Sequence, residues 1–200
     1  MLIVLTGIDG SGKTTAARAL VSSTLADGKN ALLLSNYAGR RRMSLLAARF
    51  GVHLPARLAD AVETTLRVAN VLISHVRARR FRGLTVMDRH LYCQLVLREA
   101  RGLPRGRLLP WLLRKLPAPD LVIHLDIDPR QAHDRIVARG TDEESLADLT
   151  SLRDAYHSLP EFAGFTVIDA GAPEDEVLMA LKRVLAAAEK ARFSAARLKV

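Results

Sequence analysis

The chain has one cysteine, Cys93, so no disulfide can form within it, and a lone thiol fits a reducing cytoplasm. Aromatic residues make up only 4%, too few for the stacked platforms on which single-strand nucleic-acid binders hold bases. The longest apolar runs, 121–125 and 31–34, fall far short of the roughly 20 residues of a membrane helix. No charged-then-apolar leader precedes the first strand-like segment, which starts at Leu2. Repeats, low-complexity tracts and a dividing linker are missing too, and 200 residues suit one α/β domain.

Acidic residues are in the minority. Thirty Lys and Arg against twenty-one Asp and Glu give a net charge of +9. That balance suits a protein that holds polyanions such as ATP, and the planar fork of arginine matches phosphate oxygens. A GC-rich genome is an equal source of the arginine excess.

Apolar β-type runs at 2–6, 31–35, 84–87, 121–125 and 166–168 predict five strands. Helical patterns fill the intervals at 14–25, 43–50, 55 to about 81, 90–100, 105–116, 129–138, 145–158 and 173 to about 190. Pro55 suits a first helical turn, and Gly140 a helix end. In the first helix Ala17, Leu20, Val21 and Leu25 form the apolar stripe. Trp111, in a run with Leu108, Leu109, Leu112 and Leu113, reads as a packing anchor. Strands alternating with helices imply right-handed crossovers, hence a three-layer α/β fold with a five-stranded parallel sheet flanked by helices.

The segment Gly7-Ile8-Asp9-Gly10-Ser11-Gly12-Lys13-Thr14, followed by Thr15, satisfies G-x-x-x-x-G-K-[ST] between a strand and a helix. Glycines let the backbone curl until successive N–H groups point at phosphate oxygens, and the helix N-terminus adds its dipole. In such a loop Lys13 reaches the β- and γ-phosphates of ATP, and the Thr14 hydroxyl ligates Mg²⁺. Asp88 closes the third strand, where a second carboxylate would meet the magnesium shell. It would otherwise cap the helix that follows.

The opening Gly7-Ile8-Asp9-Gly10, the pair Asp88-Arg89 with His90, and Leu125-Asp126-Ile127-Asp128-Pro129 followed by Arg135 and Arg139-Gly140 have a common likeness. Together with Asp154-Ala155-Tyr156 they resemble the thymidylate kinase branch of the P-loop nucleoside-monophosphate kinases. The resemblance covers most of the chain; its specific motifs are the P-loop and the Asp-Arg pair. It implies that Asp9 sits near the acceptor sugar and the transferring phosphate. Arg89 would grip the acceptor phosphate with help from Arg67 and from one of Arg40, Arg41 or Arg42. Tyr156, on the helix after the lid, belongs to the same acceptor site. Arg135 and Arg139 stand four apart in a lid segment at 129–145, and one of them would neutralise transition-state charge, since the P-loop has no arginine. The helices between 56 and 100 would build a homodimer face.

Departures from the family pattern fall on the base-reading side. Its arginine-glutamate-proline-glycine-like stretch is here Ser35-Asn36-Tyr37-Ala38-Gly39-Arg40. Its phenylalanine, four residues before the position of Arg67, is Glu63. The later serine and Ala-Tyr-Gln are Cys93 and Val96-Leu97-Arg98. A stacked aromatic contributes about 1–3 kcal/mol per base, so losing it leaves the base open while the reaction stands. The expected activity is transfer of the ATP γ-phosphoryl group to a nucleoside monophosphate, dTMP-like or a relative. Two other classes remain. One is a kinase for a hydroxyl acceptor, with Asp9 or Glu63 as base. The other is a nucleotide-dependent regulator or nucleic-acid-binding ATPase, suggested by Arg77-Ala78-Arg79-Arg80-Phe81-Arg82, a stretch that also reads as a solvated helix end. His75, His124 and His133 lack the spacing of metal ligands.

Overall fold

The computed structural model describes residues 1–36, 56–140 and 144–197. The expected helix at 43–50, Pro55, the arginines Arg40, Arg41 and Arg42, and the 141–143 stretch of the lid lie outside them.

All five predicted strands form: β1 Leu2–Thr6, β2 Ala31–Ser35, β3 Leu84–Asp88, β4 Leu121–Asp126 and β5 Thr166–Asp169. They pair in parallel in the order β2-β3-β1-β4-β5, with Leu5 opposite Asp88 and Thr6 opposite His124. The described helices are α1 Lys13–Ala26, α2 Ala56–Arg80, α3 Leu91–Ala100, α4 Leu108–Lys115, α5 Pro129–Arg139, α6 Leu146–His157 and α7 Glu174–Arg197. A short 3-10 turn, Pro160–Gly164, precedes β5. Ile3, Leu5, Val86, Ile123 and Leu125 are fully buried in the sheet, and Ala17, Leu20 and Val21 of α1 join their cluster. No helix among the described residues is long and apolar enough to cross a membrane.

Parallel strands bring their carboxyl ends to one edge, the usual place for ligands in open α/β sheets. Here that edge carries the loop after β1, Asp88 at the end of β3, Asp126 at the end of β4 and Asp169 at the end of β5.

Three local expectations need correcting. Leu25 is 52% exposed, and the buried place below it belongs to Thr24, whose hydroxyl donates to Leu20 O at 2.8 Å. A threonine can be buried on a helix because its hydroxyl bonds the preceding turn. Trp111 is 48% exposed rather than an anchor. Gly106, at φ 70°, holds the start of α4 to Leu108, and this short helix buries only Leu109 and Leu112. The last helix continues past 190 to Arg197, with Glu174, Asp175 and Glu176 in its first turn complementing the dipole.

Candidate active site

The loop from Gly7 to Thr14 is fixed by contacts that leave no room for side chains. Gly7, at φ 142°, faces Leu125 O, which an added Cβ would approach to 2.6 Å. Gly10, at φ 84°, would bring a Cβ to 2.5 Å from Ala132 O. The loop is therefore pressed between β4 and α5. Gly12 caps α1 in the left-handed conformation, and no acidic residue occupies the first turn, so the positive end of the helix stays available to an anion. Ser11 and Lys13 are buried, while Thr15 is exposed.

Five sequence-predicted residues converge on this loop. Thr14 Oγ1 donates to Asp88 Oδ2 at 2.6 Å, and Asp88 Oδ1 is buried with no hydrogen-bond partner among the described residues. An unpartnered carboxylate oxygen beside a threonine hydroxyl is a donor set that suits Mg²⁺, which takes oxygen ligands. Lys13 Nζ donates to Ile8 O at 2.5 Å and lies 3.5 Å from Asp9 Oδ1. Burial lowers the Lys13 pKa, and Asp9 pulls the other way. Arg89 Nη2 donates to Asp9 Oδ1. Burial pushes the Asp9 carboxyl up, but Arg89 and Lys13 outweigh it and hold it well below the usual carboxylate range. The Arg89 guanidinium is held above its usual range by Asp9 in spite of burial.

The Arg89 backbone is unusual. It has φ 74°, the left-handed region that disfavours side chains. Its N–H donates to Leu5 O at 3.2 Å, and its carbonyl accepts from Asn36 Nδ2 at 2.8 Å. Asn36 is in turn fixed by Ser74 Oγ, which donates to its Oδ1 at 2.7 Å. The surroundings over-determine the strained residue and aim its guanidinium at the loop.

Arg67 and Glu63 stand on α2, where they meet α3. Arg67 Nε donates to Gln94 Oε1 at 2.9 Å and its Nη2 to Glu63 Oε1 at 3.4 Å. Gln94 Nε2 donates to Thr64 Oγ1 at 2.9 Å and to Asp60 Oδ1 at 3.3 Å. Arg98 Nη1 closes on Asp60 Oδ2 at 2.7 Å, and Arg101 lies 3.5 Å from Glu63 Oε2. Asp60, Glu63, Arg67 and Gln94 are all buried, so this is an ionic layer between two helices. Arg67 Nη1 is buried without a partner among the described residues. Sequence reasoning missed Asp60, Gln94, Arg98 and Arg101. The signal was polar residues recurring every three or four positions, at 60, 63, 64 and 67 on α2 and at 94, 98 and the capping residue 101 of α3.

The lid arginines are engaged elsewhere. Arg135 Nη1 donates to Ala170 O at 2.9 Å, joining α5 to the loop after β5, and Arg139 Nε donates to Arg135 O at 3.3 Å. Tyr156 is buried beside the loop, near Gly7 and Cys93, and burial raises its pKa. Glu144, inside the lid segment and also missed from sequence, stands beside Asp9.

A parallel sheet whose first strand feeds this loop, with the loop threonine bonded to the aspartate of the next strand, defines a P-loop phosphotransferase. Comparison with known proteins makes the class specific. The thymidylate kinase family model matches residues 5–181. A thymidylate kinase of Xanthomonas oryzae pv. oryzae strain PXO99A is 31% identical over 202 residues, covering 97% of this chain and 86% of that protein. A probable thymidylate kinase of Pyrobaculum calidifontis is 32% identical over 207 residues, with 97% and 98% covered. Another from Thermococcus onnurineus is 30% identical over 195 residues, with 88% and 93% covered. The chain belongs to the thymidylate kinase family.

Proposed function

We propose that this protein transfers the γ-phosphoryl group of ATP to the phosphate of a nucleoside monophosphate, dTMP or a relative. The observation that carries the reading is the convergence of Arg89, Asp9 and Lys13 at the P-loop mouth, beside the Thr14–Asp88 pair. Magnesium held by Thr14 and Asp88 would neutralise charge on the donor phosphates. Lys13 turns from Ile8 O toward those phosphates, and Arg89 exchanges Asp9 for the acceptor phosphate. Arg135 and Arg139, in a lid at 129–145 of a single-domain kinase, supply further positive charge when they leave their carbonyls. Arg40 and Tyr156 complete the acceptor site. A phosphate acceptor is already ionised, so positioning and charge neutralisation suffice.

The electrostatics favour this over a hydroxyl acceptor. A base for a hydroxyl needs proton affinity, yet Asp9 is held ionised by Arg89 and Lys13. Glu63 is bound between Arg67 and Arg101. The wall of Glu63, Arg67 and Gln94 would meet the base with polar groups in place of an aromatic face, and Arg67 Nη1 is a donor suited to a base carbonyl. We further assign a cytoplasmic location, from the buried lone Cys93, and a homodimer through α2. Leu66, Leu72, Ile73 and Val76 are exposed on that helix, an apolar stripe that a second copy would cover.

The test is acceptor-dependent ADP release from Mg-ATP with dTMP, dUMP, dCMP, dGMP, UMP, CMP, thymidine and deoxycytidine. Turnover with a monophosphate and none with nucleosides is expected. Turnover with nucleosides alone would overturn the phosphate-acceptor reading.

A further inference from the structure

Beneath the P-loop, on the side away from Asp88, β4 and α6 bring together His124, Asp126 and His157. Their potential ligand atoms all lie within 4.8 Å of one another. Asp126 Oδ1 is 3.8 Å from His124 Nε2 and 3.5 Å from His157 Nε2, too far for a good hydrogen bond to either. Sequence spacing gave no hint of this cluster, because packing of α6 on the sheet makes it.

The surroundings prepare His124 as a ligand. Thr6 Oγ1 donates to Ile123 O at 3.3 Å and lies 3.2 Å from His124 Nδ1. With the Thr6 proton on Ile123 O, Nδ1–H donates to the hydroxyl, and that tautomer presents the Nε2 lone pair to a cation beside the carboxylate. Asp126 is held by Arg153, whose Nε and Nη2 donate to Oδ1 and Oδ2 at 2.8 and 2.7 Å. An ionised carboxylate oxygen has two lone pairs, so Oδ1 keeps one for a cation. The Phe162 ring packs on both imidazoles, with centroids 5.2 and 4.8 Å away, and limits their rotation.

We propose that His124 Nε2, Asp126 Oδ1 and His157 Nε2 form a three-ligand site for a transition-metal dication of the Zn²⁺ kind, completed by water. Two imidazoles and one carboxylate select such an ion over Mg²⁺, which prefers oxygen. Tetrahedral ligands at about 2.0–2.1 Å from zinc stand about 3.3 Å apart. Closing to that spacing takes an inward shift of His157, which is 41% exposed, and a smaller approach of Asp126 Oδ1 to His124 Nε2, now 3.8 Å apart. The Arg153 charge beside the site sets a modest affinity, and the guanidinium orients the carboxylate as an outer partner does.

The experiment is titration of Co²⁺ into the tag-free full-length protein with Mg²⁺ in excess, read by visible absorption and by metal analysis after equilibrium dialysis. One Co²⁺ per chain with the intense bands of four-coordination, displaced by Zn²⁺, is expected. His157→Ala, at a partly exposed position, should weaken binding by about 10-fold or more and bleach the bands. His133→Ala should leave both unchanged. Weak six-coordinate bands in the parent protein, or equal affinity in His157→Ala, would overturn the proposal.

Discussion

At the P-loop the groups offered to phosphate are backbone N–H groups, held by glycines pressed against Leu125 O and Ala132 O, with one lysine and one threonine beside them. Between α2 and α3 the wall consists of the charged side chains Asp60, Glu63, Arg67, Arg98 and Arg101 and the Gln94 amide, which hold one another. In the first region the fold fixes the site, and single side chains can be lost without collapse. In the second region the site is part of the packing. A buried charge left alone is expensive, so on the proposed reading recognition and stability are coupled there.

The contrast is sharpest for Lys13→Ala. Turnover should fall by about 10³-fold or more. The thermal midpoint should barely move, because Asp9 keeps Arg89. A coupled ADP assay with calorimetry on the same sample checks both, and a large loss of stability would erase the distinction. Glu63→Leu comes next. It strands the Arg67 guanidinium and should cost about 3 kcal/mol in urea unfolding, with a rise in acceptor KM. The double variant Glu63→Leu/Arg67→Met should recover most of the stability but not the acceptor affinity. Full retention of stability in the single variant would show that the layer is not energetically coupled.

The smallest effect concerns the joint between the regions. His75 Nε2 and His90 Nε2 are 3.1 Å apart, both buried, where α2 meets the start of α3. Burial, helped by His75, depresses the His90 pKa to about 3. A histidine in the unfolded chain binds its proton first, so the stabilisation is complete above about pH 6.5 and declines as pH falls toward the folded pKa. At about pH 5 the loss is about 2 kcal/mol. Urea midpoints measured across that range should fall with pH in the parent protein and less so in His90→Gln. A flat profile in the parent would remove the histidine pair from the account.

What could be read from the sequence follows the same division. The five strands and the P-loop come from local periodicity and a contiguous motif, and each predicted strand agrees within one residue at its ends. Asp88 could be placed because a strand end is a local feature. Gln94 and Asp60 could not, because their meeting depends on how two helices cross. Trp111 was misjudged for a related reason: an apolar residue is buried only if another element covers it, and none of the described ones covers this side of α4. His124 and His157 are joined only through the sheet and α6, beyond the reach of spacing rules.

Arg89 carries a consequence for how this chain can change. A left-handed backbone costs a side-chain-bearing residue about 1–2 kcal/mol that glycine does not incur. At φ 74° that position would be relieved by Arg89→Gly. The same change would take the guanidinium from Asp9, so the backbone and the ion pair pull this one position in opposite directions.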